Sequence, residues 1–194
     1  MTPSEIETAA RRAYNGEGDD FWSSAEIMDL IYAASLELSI ESLAIERTFT
    51  TTSVLSQRSY SLPTETISVK RIEYNGAKLQ PTTFREDDAI TLSNSNSTDS
   101  GTPQYYMVWN EAFFLRPIPD TTGTEIKIYS INEPQRITTS STMEIPTRYH
   151  LDIVKFLLRE MYSKDKNLQQ SSYYTGLWEQ AKLRARKWEA KRKR

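Results

Sequence analysis

The side chains that most often do chemistry near neutral pH are nearly missing from this chain of 194 residues. It has no cysteine and a single histidine, His150. Thiolate nucleophiles, disulfides and cysteine-based zinc sites are thereby excluded, and the scarcity counts against general acid–base and nucleophilic catalysis. His150 has Asp152 two residues on, but in a helix positions i and i+2 point away from each other. His150 is therefore read as a helix-start residue that packs or bonds locally. The carboxylate runs Asp19-Asp20 and Glu86-Asp87-Asp88 lack the spaced ligands and glycine of a calcium loop, so they are read as solvated turns. With 6 glycines there is little material for a phosphate-binding loop. A glycosidase-like pair of carboxylates is not legible either. The expectation is a chain with no catalytic residues, no cofactor and no metal.

What remains is charge. The net charge of −2 hides an asymmetry: residues 1–50 carry 10 acidic and 3 basic side chains, whereas residues 182–194 carry 8 basic and 1 acidic. In the tail, Lys182, Arg184, Arg186, Lys187, Lys191, Arg192, Lys193 and Arg194 are interleaved with Trp178 and Trp188. Three readings stay open. The tail could dock on a partner protein, with the two tryptophans as hot spots and the cations steering approach. It could bind duplex DNA through phosphates. It could be a solvated helix end, where cations suit the dipole. At the acidic front, Asp19, Asp20, Glu26, Asp29, Glu37 and Glu41 are candidates for a subunit interface or a channel lining, set against the plainer reading of a wet helix face.

The elements that carry these groups follow from capping and periodicity. Thr2-Pro3-Ser4-Glu5 is a capping box with proline at the first helical position, and Ile6, Ala9, Ala10 and Ala13 share a face, predicting a helix over 3–14. Ser23-Ser24-Ala25-Glu26 is a second box, and Ile27, Leu30, Ile31, Ala34 and Leu38 at helical spacing predict a helix over 24–46. From Thr48 to Ile145 the texture becomes Thr, Ser, Ile, Val and Tyr with regular turn signals. This predicts short antiparallel strands near 48–54, 58–62, 66–74, 77–80, 104–109, 112–116 and 124–131. Asn75-Gly76 is a strong hairpin signal, since both residues tolerate positive φ, and Asn110-Glu111 is a candidate to join a second. Residues 93–101 read as a polar loop. Helices are expected over 147–163 and 168–192. The fold class is α+β: a helical body of residues 1–47 and 146–194 around a central antiparallel β-rich domain, 48–145. The N-terminus lacks the basic and apolar regions of a signal peptide, and no run approaches the roughly 20 apolar residues of a membrane span, so no membrane partner is expected.

Four strings in this order resemble the head-to-tail adaptor (connector) proteins of tailed bacteriophages. They are Phe21-Trp22-Ser23-Ser24-Ala25-Glu26-Ile27-Met28; Tyr60-Ser61-Leu62-Pro63-Thr64-Glu65 followed by Val69-Lys70-Arg71-Ile72; Gly101-Thr102-Pro103-Gln104-Tyr105-Tyr106 with Leu115-Arg116-Pro117-Ile118-Pro119-Asp120; and Glu144-Ile145-Pro146-Thr147-Arg148-Tyr149-His150. Leu55-Ser56-Gln57-Arg58 departs from the pattern in lacking a glycine before Tyr60. The resemblance implies a structural virion protein at the head–tail junction, made in the host cytoplasm. Such a protein forms a homo-oligomeric ring, typically twelve-fold, beneath the portal. The ring prolongs the channel for duplex DNA without sequence-specific binding and presents a surface to the next tail component, whether tube, nozzle or terminator. In several relatives the C-terminal segment grips the portal. Two alternatives remain: another tail-completion or terminator ring, and a DNA-binding module acting through the basic tail.

Overall fold

The computed structural model describes residues 1–15, 21–93, 99–138 and 141–192, with the side chains of 90–93 left aside. The chain folds as two compact units, Met1–Ile45 with Glu133–Arg194, and Glu46–Asn132. The architecture is α+β, with helices at both ends of the chain and a mostly antiparallel β region between them.

The helical unit holds α1 (Pro3–Tyr14) and α2 (Ser24–Ser42), then α4 (His150–Lys164) and α5 (Leu168–Arg192). Both expected capping boxes form: the Glu5 amide donates to Thr2 Oγ1 at 3.2 Å, and the Glu26 amide donates to Ser23 Oγ at 3.2 Å. Helix α2 stops short of the expected residue 46, because Leu43 adopts φ 56° and its amide closes on the Ser39 carbonyl. A left-handed cap at leucine, with no glycine to announce it, is hard to foresee. The segment 133–145, read from sequence as the end of the β region, groups with the helices because Met143 and Ile145 bury themselves in the helical core beside Ile31, Ile153 and Leu157. Helix α5 contributes Trp178, Ala181, Ala185 and Glu189, spaced by three, four and four residues so that all four lie on one buried stripe. The alanines let it approach closely, and Trp178 meets Phe156 edge-on at 5.2 Å between ring centroids.

The β unit has ten strands among the described residues: β1 (Glu46–Thr52), β2 (Ser59–Ser61), β3 (Thr66–Tyr74), β4 (Ala77–Lys78), β5 (Gln80–Pro81), β6 (Ser100–Gly101), β7 (Tyr105–Trp109), β8 (Ala112–Arg116), β9 (Ile118–Pro119) and β10 (Glu125–Asn132). One sheet runs β1-β10-β3-β4, a second β2-β8-β7-β5, and β6 pairs with β9. Ile72, Tyr74, Ile126 and Ile128 of the first sheet share a core with Tyr60, Tyr106, Phe113 and Leu115 of the second, as alternation requires of two sheets packed face to face. The Asn75-Gly76 turn takes φ values of 49° and 75°, and Asn110-Glu111 takes 49° and 57°, so both hairpin turns are left-handed pairs.

A helix forms where the sequence suggested a turn. Residues Glu86-Asp87-Asp88, read as a solvated turn, lie in the first turns of a helix, α3 (Phe84–Ser93). Thr83 and Glu86 form a third reciprocal cap, with the Thr83 amide donating to Glu86 Oε2 at 2.9 Å. Asp87 is buried, and its carboxylate accepts from Arg58 at 2.6 Å and Arg116 at 2.7 Å. Burial alone would raise its pKa, but the two guanidiniums outweigh that and hold it below the ordinary aspartate value.

Candidate functional site

The charged residues singled out by the sequence sort into two kinds: those the helical unit uses on itself, and those left at the surface. Glu26 accepts from Lys164 Nζ at 2.8 Å while capping α2. The Lys164 ammonium and the Ser23 amide lower its pKa to about 2. Asp29 pairs with Arg136 at 2.9 Å, and Glu37 pairs with Lys182 of α5. These three acids, expected at a subunit interface or channel, are engaged within their own chain. Glu41 is exposed and has no ion-pair partner among the described residues. Asp19 and Asp20 lie outside the described residues.

The basic end of α5 divides in the same way. Trp178, expected as a docking hot spot, is fully buried, so it is a core residue and not a surface anchor. Lys182 is 12% exposed and held between Glu37 and Glu179. Burial alone would lower its pKa, but the two carboxylates override this and raise it, so it too is committed internally. Arg184 reaches Asp152 at 2.9 Å yet stays 62% exposed. Arg186, Lys187 and Lys191 are exposed, with no ion-pair partner among the described residues. Trp188 is 57% exposed. Lys193 and Arg194 lie outside the described residues.

Geometry then gathers the surface group. Arg184, Lys187, Trp188 and Lys191 occupy positions i, i+3, i+4 and i+7 of one continuous helix, and so share a face. On the buried face of the same helix Glu189, 1% exposed, accepts hydrogen bonds from Arg148, from the Tyr149 hydroxyl at 2.8 Å and from Arg192 Nε at 2.8 Å. Burial alone would raise the Glu189 pKa, but these donors hold it below the ordinary glutamate value. The Arg148 guanidinium also lies 5.8 Å from the centre of the Trp188 ring, a cation–π distance. The turn ahead of α4 and the last turns of α5 are thus tied together by one buried carboxylate. Sequence reasoning missed Arg148 and Glu189. The signal available was that Glu189 is the single acid in the basic run, where an ordinary solvated helix face would alternate charge.

His150 takes the local role expected of it. It is 4% exposed, its Nε2 lies 2.8 Å from the Ile145 carbonyl and its Nδ1 lies 3.0 Å from the Met1 amine. Burial lowers its pKa. Among the described residues no group of three or more acids or histidines is placed to hold a metal ion, and no helix is long and apolar enough to cross a membrane.

On α5, then, the exposed cations Arg186, Lys187 and Lys191 lie close along the helix to the exposed Trp188. Residues 1–194, the whole chain, match the family model described as SU10 adaptor protein. The chain belongs to this family of phage head–tail adaptors, which is a structural family. No match is found among curated proteins.

Proposed function

We propose that the protein forms a ring beneath the portal that connects the phage head to its tail and prolongs the DNA channel, with the basic end of α5 docking on the portal. The observation that carries the docking role is the stripe Arg184, Lys187, Trp188 and Lys191, which leaves two cations unpaired beside an exposed indole. Cations near an aromatic anchor steer a partner and then hold it. The exposed positive charge of the stripe complements an acidic surface on the partner. Subunits close the ring, twelve-fold by family resemblance, through head-to-tail contacts, and the opposite rim receives the next tail component. Duplex DNA passes through without sequence-specific contact, and the protein resides in the virion.

Cryo-electron microscopy of purified virions tests this reading. The expected result is a ring of this chain between portal and tail, with α5 against the portal. Density elsewhere in the tail would move the protein to a completion or terminator ring, and absence from the virion would overturn the assembly role. A DNA-binding module would instead show tight duplex binding that falls steeply with salt.

A further inference from the structure

We infer that the docking surface spans two elements, in which Arg148 in the turn ahead of α4 and Leu151 in its first turn complete the α5 stripe, and that its occupant is an acidic amphipathic segment of the partner protein. This rests on the docking role proposed for α5. Leu151 is 66% exposed although the helix around it is apolar and buried, with Asp152, Ile153 and Val154 all turned inward. It stands one helical turn beyond Arg148, whose guanidinium covers Trp188. Residues three apart share a helix face, so Leu151 lies on the same side as Arg148, and Arg184 reaches Asp152 across the two helices. Two exposed apolar side chains, Leu151 and Trp188, are thus linked through the Arg148 guanidinium, with Arg184, Lys187 and Lys191 on the Trp188 face.

The arrangement selects its partner by chemistry. The two carboxylates within the patch, Asp152 and Glu189, are buried and already engaged, so the exposed potential is positive and complements carboxylates. A duplex would use the cations but has no use for a surface leucine, because phosphate contacts need only positive charge. Apolar anchors inside a charged rim are the pattern of a protein hot spot. The buried Glu189 fixes the relative position of both halves, so the patch is preorganised before the partner arrives.

Three full-length variants test the inference: Leu151→Ser, Trp188→Ala and the double Lys187→Ala/Lys191→Ala. Each is measured for binding to purified portal rings and to a short DNA duplex, with circular dichroism to establish that the helices persist. Leu151→Ser and Trp188→Ala should each weaken portal binding about tenfold, or 1.4 kcal/mol, and leave duplex binding unchanged. The double lysine variant should weaken both. Unchanged portal binding by Leu151→Ser, with loss in the lysine variant, would overturn the two-element surface and leave docking by α5 alone. Portal binding unmoved by all three would remove the docking role itself. Loss of duplex binding in step with portal binding, insensitive to Leu151, would assign the patch to DNA.

Discussion

Replacing Glu189 by alanine removes the one acceptor that three donors share. Of these, Arg148 and Arg192 are 41% and 44% exposed and recover water. Tyr149 is 5% exposed, and its hydroxyl donates to Glu189. Removing one partner of a buried pair costs about 3–5 kcal/mol when the other is stranded. With both arginines rehydrating, the larger surviving loss is the buried phenol, about 1–3 kcal/mol. The expected destabilisation is therefore about 2–3 kcal/mol. In urea, with a slope of about 2 kcal/mol per molar, this lowers the midpoint by about 1–1.5 M, read from the helical signal.

The same substitution carries a pH signature. The Glu189 pKa is lower in the folded protein than the ordinary 4.5. Its contribution is then fully present above that value and is lost as pH falls through the folded pKa. The gap between the natural protein and Glu189→Ala should close in acid. A matched control is Glu179→Ala, whose carboxylate is 56% exposed against Lys182 and should cost at most about 0.5 kcal/mol. A Glu189→Ala effect no larger than this control, or a gap that persists unchanged at low pH, would refute the account of the buried tie.

Other expectations follow from the same geometry. Trp178→Ala should cost about 3–5 kcal/mol in urea denaturation because it empties the core against Phe156, whereas Trp188→Ala should stay within about 0.5 kcal/mol. Asp87→Ala should destabilise the β unit by about 2–4 kcal/mol and raise hydrogen exchange in α3, since Arg116, 11% exposed, would lose its carboxylate. For His150, the folded pKa is depressed, so stability should decline as pH falls from about 6.5 through the folded value. The residues facing it are the Met1 amine, Glu5 and the Ile145 carbonyl. A His150→Gln variant should lose that slope in pH-dependent denaturation.

The helices were legible because their signals are local. Capping boxes at Thr2 and Ser23 and a stripe of Ile27, Ile31, Ala34 and Leu38 specify register within a few residues. The paired left-handed turns at Asn75-Gly76 and Asn110-Glu111 did the same for two hairpins. Helix α3 was hidden because its run of acids looks solvated. Burial of Asp87 depends on Arg58 and Arg116, which are 29 residues away in opposite directions along the chain, and no local window contains that contact. The same limit explains Trp178. On a helical wheel it belongs with Ala181 and Ala185, yet proximity to the basic run suggested an anchor, and only the packing of Phe156 decides for the core.

Counting charges along the chain suggested two reservoirs, an acidic front and a basic tail, each waiting for another molecule. Folding engages the front acids within the chain. Glu37 meets Lys182 of the basic tail, while Glu26 and Asp29 meet Lys164 and Arg136, which precede that tail, and these pairs hold α2 against the C-terminal part of the unit. What is left is asymmetric in a different way: on α2 the described free acid is Glu41, whereas α5 keeps Arg186, Lys187 and Lys191 unpaired. The surface available to a partner is therefore smaller than the sequence implied, more uniformly positive, and held by a carboxylate that no partner needs to supply.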